Sequence, residues 1–169
     1  VEYNFEERHN RKYSILLTKQ IRFINKNASS VLSFDNNEYL ALAFIDVDNF
    51  KQFNTNYGHS FGDEVLQSLS RILLENIQRY DKTYAVRNGG DEFLIISRTL
   101  NDDFFINLIQ KICMDIANME LNPDCFDSVH ITVSVGISSK HLDKFDCDSF
   151  KSLYDKADDR NQKAKDSGK

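Results

Sequence analysis

From Tyr39 to Ile45 every residue is apolar, and the run closes on Asp46-Val47-Asp48. An unbroken apolar stretch of this length, too short to span a bilayer, marks a strand covered on both faces. It predicts a central strand over Tyr39–Val47 and therefore a layered domain built around one sheet. A carboxylate at the end of such a strand is costly unless it is paired or metal-bound. Asp46 and Asp48 are two apart, so strand alternation puts both on one side.

A second constraint lies downstream, where Arg87 to Phe93 reads Arg-Asn-Gly-Gly-Asp-Glu-Phe. A Gly-Gly step between strand-like runs predicts a tight hairpin, since glycine reaches positive φ without steric cost. Tyr84 to Val86 and Phe93 to Ile96 are its strands. Asp91 and Glu92 then fall on opposite faces, with Phe93 on the side of Asp91 and packed in the core. If the hairpin neighbours the central strand, Asp46 and Asp91 could hold two divalent cations about 3.5–4 Å apart. Hard cations such as Mg²⁺ prefer such oxygen ligands.

Around these anchors the periodicity predicts helices. Residues 11 to 26 read as a first helix. Asp63 to Ile77 carries an apolar stripe at Val65, Leu66, Leu69, Ile72, Leu73 and Ile77. Phe104 to Met119 and Phe150 to Lys165 are further helices, and Val129 to Ile137 is β-branched and strand-like. Asn54-Thr55-Asn56-Tyr57-Gly58 has the chemistry of a turn. The order is helix, strand, helix, hairpin, helix, strand, helix. That alternation implies an α/β or α+β sandwich with a central, mostly antiparallel sheet flanked by helices.

With 169 residues, 41% hydrophobic and 28% charged, the chain fits a single domain with an ordinary core. Residues 1–37 are a helical lead-in to that domain and 38–169 its body. A net charge of −5 argues against a general nucleic-acid or acidic-membrane surface. Cys113, Cys125 and Cys147 form no Cys-x-x-Cys pair, so neither zinc nor a disulfide framework is suggested, and a reducing cytoplasm is the default. No signal peptide is visible. Val1 stands in place of an initiator Met, which leaves room for an upstream sensory or membrane region.

Five stretches in order resemble the GGDEF family, the diguanylate cyclases of bacterial signalling. Phe44 to Asn54 is similar to the family's first metal-binding stretch, and Tyr57 to Asp63 to the loop and helix start that follow. Arg87 to Phe93 is similar to its signature hairpin and Val133 to Ile137 to its later strand. Ala157-Asp158 and Lys163 to Lys169 are similar to the two ends of its C-terminal helix. The match runs from about residue 38 to 169.

The resemblance implies a palm-like nucleotidyl cyclase that condenses two GTP into cyclic di-GMP. It implies a Mg²⁺ (or Mn²⁺) site made by Asp46, Asp91 and the main-chain carbonyl of Val47. Asp91 helps deprotonate the 3′-hydroxyl, and Glu92 supports the metal site. Asn54 and Asp63 read the guanine edge. Lys51, Lys165, Lys169 and the backbone around Asn49 and Phe50 hold phosphates. One domain holds one GTP, so turnover requires a homodimer. The physics is consistent: a carboxylate accepts from guanine N1–H and the amino group, and an amide matches the remaining positions. Plainer roles compete, with Asp63 as a helix cap, Asn54 as a turn former, Lys165 and Lys169 as a solvated helix end, and His59 as structural.

Four features depart from the family pattern. The N-terminal Asp-x-Leu-Thr-Gly-Leu stretch is replaced by Tyr3 to Arg8. Asn88 stands where an aromatic residue is usual. Arg160-Asn161-Gln162 replaces Ala-Leu-Tyr, exchanging an apolar patch for polar groups and weakening the expected docking of the last helix. Tyr80 and Thr83 occupy the Arg-x-x-Asp positions of the product-inhibition motif, so feedback inhibition at that site is not expected. Two other readings follow from these departures and from the base contacts: a catalytically weak domain acting as a GTP-binding or regulatory module, and a cyclase with another base preference.

Overall fold

The computed structural model describes residues 38–99, 101–121, 128–141 and 147–167. The expected helix at 11–26, the lead-in at 1–37 and Lys169 lie outside these residues. Four strands form one sheet in the order β2-β3-β1-β4: β1 (Tyr39–Val47), β2 (Thr83–Gly89), β3 (Glu92–Thr99) and β4 (Val133–His141). Every neighbouring pair is antiparallel. β1 lies between β3 and β4, which explains its unbroken apolar sequence.

Strand alternation sorts the two faces. Ala41, Ala43, Ile45 and Val47 of β1, with Phe93 and Ile95 of β3, pack against α2 (His59–Ile77) and α3 (Asp102–Ala117). Leu40, Leu42 and Phe44, with Leu94 and Ile96, pack against Leu153 and Ala157 of α4 (Cys147–Ser167). Even-numbered residues of β1 therefore face α4, and Asp46 inherits that face. At the other end of β1 the buried Glu38 takes Lys82 at 2.7 Å and pairs with the buried Arg98 on β3.

Several boundaries differ from the expected ones. Asn54 to Gly58 is no free turn: Phe50–Tyr57 is helical and forms α1. Asn and Thr are poor helix formers, but tertiary packing overrides them here. Phe53 stacks on Phe61 at 5.6 Å and meets Tyr57 at 4.8 Å, while Thr55 Oγ1 donates to the Lys51 carbonyl. Gly58 ends α1 at φ 89°, and α2 begins at once with His59. Asp63 is thus inside α2 and does not cap it.

The hairpin is longer than expected, and its turn is built differently. Gly58 is the one glycine with positive φ among the described residues, so Gly89 and Gly90 do not use that freedom. The turn is held instead by Arg87, whose Nε and Nη2 donate to the Gly90 carbonyl at 3.0 and 2.6 Å, with a register irregularity at Asn88. β4 starts later than expected and continues through Ser138 to His141 as an edge strand, while Val129 makes only an isolated bridge to Leu121. α3 begins earlier, capped by Asn101 Oδ1 accepting from the Asp103 amide at 2.7 Å.

The polar triplet at 160–162 does not weaken docking of α4. Asn161 is buried at 2% exposure, and its Nδ2 donates to the carbonyls of Ser134 (2.6 Å) and Phe44 (3.3 Å). Arg160 Nη1 donates to the Ile137 carbonyl. The helix is fastened to two strands by hydrogen bonds where an apolar patch was missing.

Candidate active site

The C-terminal end of β1 opens into a cleft of about 510 Å³. Asp46, Val47, Asn49, Phe50, Lys51, Asp91 and Lys165 line it, together with Asp48, Thr132, Ser134, Gln162 and Ala164. Most of the residues expected at a metal and phosphate site therefore share one concavity. Asp46 faces α4 by strand parity, and there it meets Lys165, with Nζ 2.7 Å from Oδ2. Lys165 is one helical turn beyond Asn161, so the bonds that fasten α4 also set the position of this ammonium.

Asp46 is 6% exposed. Burial pushes its carboxyl above the usual range, the Lys165 ammonium opposes this, and the charges of Asp91 and Glu92 add to the rise. In register the Cα partner of Asp46 is Glu92, not Asp91. Asp91 lies in the turn just before β3, where its carbonyl accepts from Val47 N at 3.3 Å, and it lines the cleft. Glu92 is outside the cleft lining; its Oε2 accepts from Asn88 Nδ2 at 3.0 Å. That same Nδ2 reaches Tyr154 Oη on α4 at 2.9 Å.

Besides Glu92, two expected site residues, Asn54 and Asp63, sit apart from the cleft lining. Asn54 on α1 lies directly over Gly62 of α2: a Cβ at Gly62 would fall 1.8 Å from Asn54 Oδ1. Asp63 is the next residue on α2 and is exposed. Asn54 Oδ1 is buried and has no hydrogen-bond partner. An orphaned amide oxygen of this kind is costly within a folded protein and is suited to a ligand donor.

Asp48 keeps to the side of Asp46, as strand alternation predicts, although β1 itself ends at Val47. Its carboxylate accepts from Ser134 Oγ, on the Cα partner of Asp46, and from Thr132 Oγ1, at 2.6 Å each. Sequence reasoning missed this pair; two hydroxyl side chains two residues apart at a strand start are the signal that could have marked it.

The donor set fits a divalent cation. Among the described residues no group of three His, Cys, Asp or Glu side chains is already gathered as a metal cage. Asp46 and Asp91 nevertheless bring hard oxygen donors to one cleft. The Asp46 carboxyl is raised chiefly by its burial, a cost that a bound cation would offset. Among the described residues, Lys165 supplies the opposing charge that bears on Asp46.

A four-stranded antiparallel sheet with helices on both faces, and paired acids at the end of its central strand, defines a palm-like nucleotidyl cyclase domain. The sequence matches the family described as diguanylate cyclase, GGDEF domain, over residues 17–169. The chain belongs to the GGDEF family. It is 29% identical over 137 residues to diguanylate cyclase A of Treponema denticola, covering 81% of this chain and 35% of that protein. An uncharacterised membrane protein of Staphylococcus haemolyticus is 31% identical over 143 residues, with 85% and 39% covered. Among solved structures, the active GGEEF domain of a diguanylate cyclase from Vibrio cholerae superposes with a TM-score of 0.66 at 26% identity, covering 94% of this chain and 90% of that one. The chain thus spans 35–39% of the length of these two curated relatives.

Proposed function

We propose that this chain is the catalytic domain of a diguanylate cyclase, joining two GTP into cyclic di-GMP with release of pyrophosphate. The observation that carries the reading is the convergence of Asp46, Asp91, Lys165 and the head of α1 in one cleft. Asp46, Asp91 and the Val47 carbonyl would hold Mg²⁺, which when bound polarises the α-phosphate and offsets charge on the leaving group. Lys165 and Lys51 bind phosphate oxygens. The first-turn amides of α1 face an anion without competition, because Asn49 offers no side-chain cap.

In the reaction the 3′-oxygen of one GTP bonds to the α-phosphorus of the other. The bond from that phosphorus to the bridging oxygen of the β-phosphate breaks, and pyrophosphate leaves with the electron pair. The hydroxyl proton passes to the Asp91 carboxylate. Two such transfers close the ring, which requires two domains face to face. Asn54 and Asp63 read guanine, and the orphaned Asn54 oxygen supports that role. No helix among the described residues is long and apolar enough to cross a membrane. A cytoplasmic site of action, coupled to a sensory or membrane region elsewhere in a longer protein, suits relatives of more than twice this span.

The competing reading, a regulatory GTP-binding module, draws on the altered N-terminal stretch, which lies outside the described residues, and on the polar triplet at 160–162; the hydrogen-bonded docking of Asn161 supports the cyclase reading on the second point. Concentrated protein incubated with GTP and Mg²⁺ is expected to give cyclic di-GMP by mass spectrometry. Nucleotide binding without product, even when a fused coiled coil forces dimerisation, would establish the regulatory module instead.

The base-reading corner makes its own prediction. In Gly62→Ala the new methyl displaces the Asn54 side chain. Helix propensity gains about 1 kcal/mol, which offsets the displacement, so the thermal midpoint stays within a few degrees. GTP binding measured by calorimetry weakens about tenfold or more, the cost of one mismatched base contact. Unchanged affinity would remove Asn54 from the base site.

A further inference from the structure

We propose that Asp48 is a positioning residue: with Thr132 and Ser134 it clamps the β1–α1 turn onto the start of β4, presenting the head of α1 to the cleft. This inference rests on the phosphate-binding reading of that cleft. It assigns to Asp48 a role distinct from metal ligation, although Asp48 is only two residues from Asp46.

The geometry is specific. Asn49 lies in the left-handed region at φ 55° and ψ 27°, and it is the one non-glycine residue among those described with positive φ. That conformation is unfavourable for an L-residue, least so for Asn, and persists where the surroundings over-determine it. Three bonds join the preceding residue to β4. Asp48 N donates to the Thr132 carbonyl at 2.9 Å, and its two carboxylate oxygens accept separately from Thr132 Oγ1 and Ser134 Oγ. One residue earlier, Val47 N donates to the Asp91 carbonyl. The turn is thereby tied on one side to the acidic hairpin and on the other to β4.

Both oxygens of Asp48 are engaged by neutral hydroxyl donors at short, ionised-acceptor distances. A carboxylate committed in this way is poorly placed to ligate a cation, whereas Asp46 has only a displaceable ammonium. Ser134 extends the clamp, because its carbonyl accepts from Asn161 Nδ2 while its hydroxyl serves Asp48. The head of α1, β4 and α4 are thus joined through one serine, and the two phosphate-binding elements keep a fixed separation.

The test separates a clamp from a ligand. Asp48→Asn and the double variant Thr132→Val/Ser134→Ala are compared with wild type, with Thr132→Ser as the conservative control that keeps a hydroxyl. Three readouts are taken: hydrogen exchange of a peptide spanning 47–53, affinity for 3′-deoxy-GTP (which lacks the attacking hydroxyl), and Mn²⁺ affinity by electron paramagnetic resonance. The clamp predicts at least tenfold faster exchange and about tenfold weaker 3′-deoxy-GTP binding in both the Asn and the double variant. It also predicts Mn²⁺ affinity within about twofold of wild type, and recovery in Thr132→Ser. Loss of Mn²⁺ binding in Asp48→Asn alone makes Asp48 a ligand and overturns the inference, as does unchanged exchange in the double variant. If wild type binds no 3′-deoxy-GTP, the cyclase reading fails on that result, and exchange at 47–53 alone decides the clamp.

Discussion

Asp91→Asn is expected to lower cyclic di-GMP formation at least a thousandfold while leaving the fold intact. Removing a positioned proton acceptor costs about 10²–10⁴ in rate, and losing a charge aimed at the reacting phosphate costs about 10²–10³ more when the two are separable. Asparagine is nearly isosteric, and the bond that Asp91 makes to Val47 uses the backbone carbonyl, so the turn survives the change. The thermal midpoint should therefore move by no more than about 4 °C. Turnover measured by product mass, alongside a melting curve, checks both halves. Full activity in this variant would sink the role given to Asp91 without touching the fold.

Asp46→Asn sharpens that result, because its two effects have different signs. The wild-type carboxylate is desolvated by burial and repelled by Asp91 and Glu92. A folded-state pKa above the unfolded value means that the native state binds the proton more tightly. Stability contributed by this group is therefore present at low pH and is lost as pH rises from the ordinary carboxylate value through the raised one. The substitution removes that slope, although it strands Lys165. Activity should fall as far as in Asp91→Asn, with stability near neutral pH unchanged or improved, which is the trade expected where a strained site serves chemistry.

The parts of this molecule that were legible in the sequence are those fixed by local pattern. β1 is bounded correctly because a strand buried on both faces leaves an uninterrupted apolar signal. Asp46 and Asp91 were legible because they sit at the ends of recognisable strands. α1 was not legible, since Asn54, Thr55 and Asn56 favour turns and the cluster of Phe50, Phe53, Tyr57 and Phe61 that makes them helical is assembled by tertiary contact. The pairing of Asp46 with Glu92 was hidden because register between strands far apart in sequence has no local signature. The bonds of Asp48 to Thr132 and Ser134 were hidden for the same reason, since they join residues 84 and 86 positions apart. The docking of α4 was misjudged for a related reason. A polar triplet reads as a weakened interface unless the carbonyls that will accept from it are known.

That docking carries the largest expected effect on stability. Gly136 lies opposite Phe44 on β4, beneath the backbone of α4. A Cβ there would fall 1.9 Å from the Ala157 carbonyl oxygen and 2.4 Å from Asn161 N. Both are main-chain atoms, so no rotamer change relieves the contact and the helix itself must move. Overpacking of this kind costs about 1–3 kcal/mol. The shift also draws Asn161 Nδ2 away from Ser134 and Phe44, leaving buried polar groups that cost about 1–3 kcal/mol when unsatisfied. Gly136→Ala should therefore lose about 2–6 kcal/mol, a fall in melting temperature on the order of 10 °C at this chain length. Asn161→Leu removes the donors without moving the helix and should lose only the second part. The order of the two variants is the discriminating observation. If Gly136→Ala melts within about 2 °C of wild type, α4 does not bear on β4 as described, and the placement of Lys165 on Asp46 falls with it. If the expected order holds, both variants should also lose turnover, since the ammonium that faces Asp46 is carried by the helix turn that Asn161 anchors.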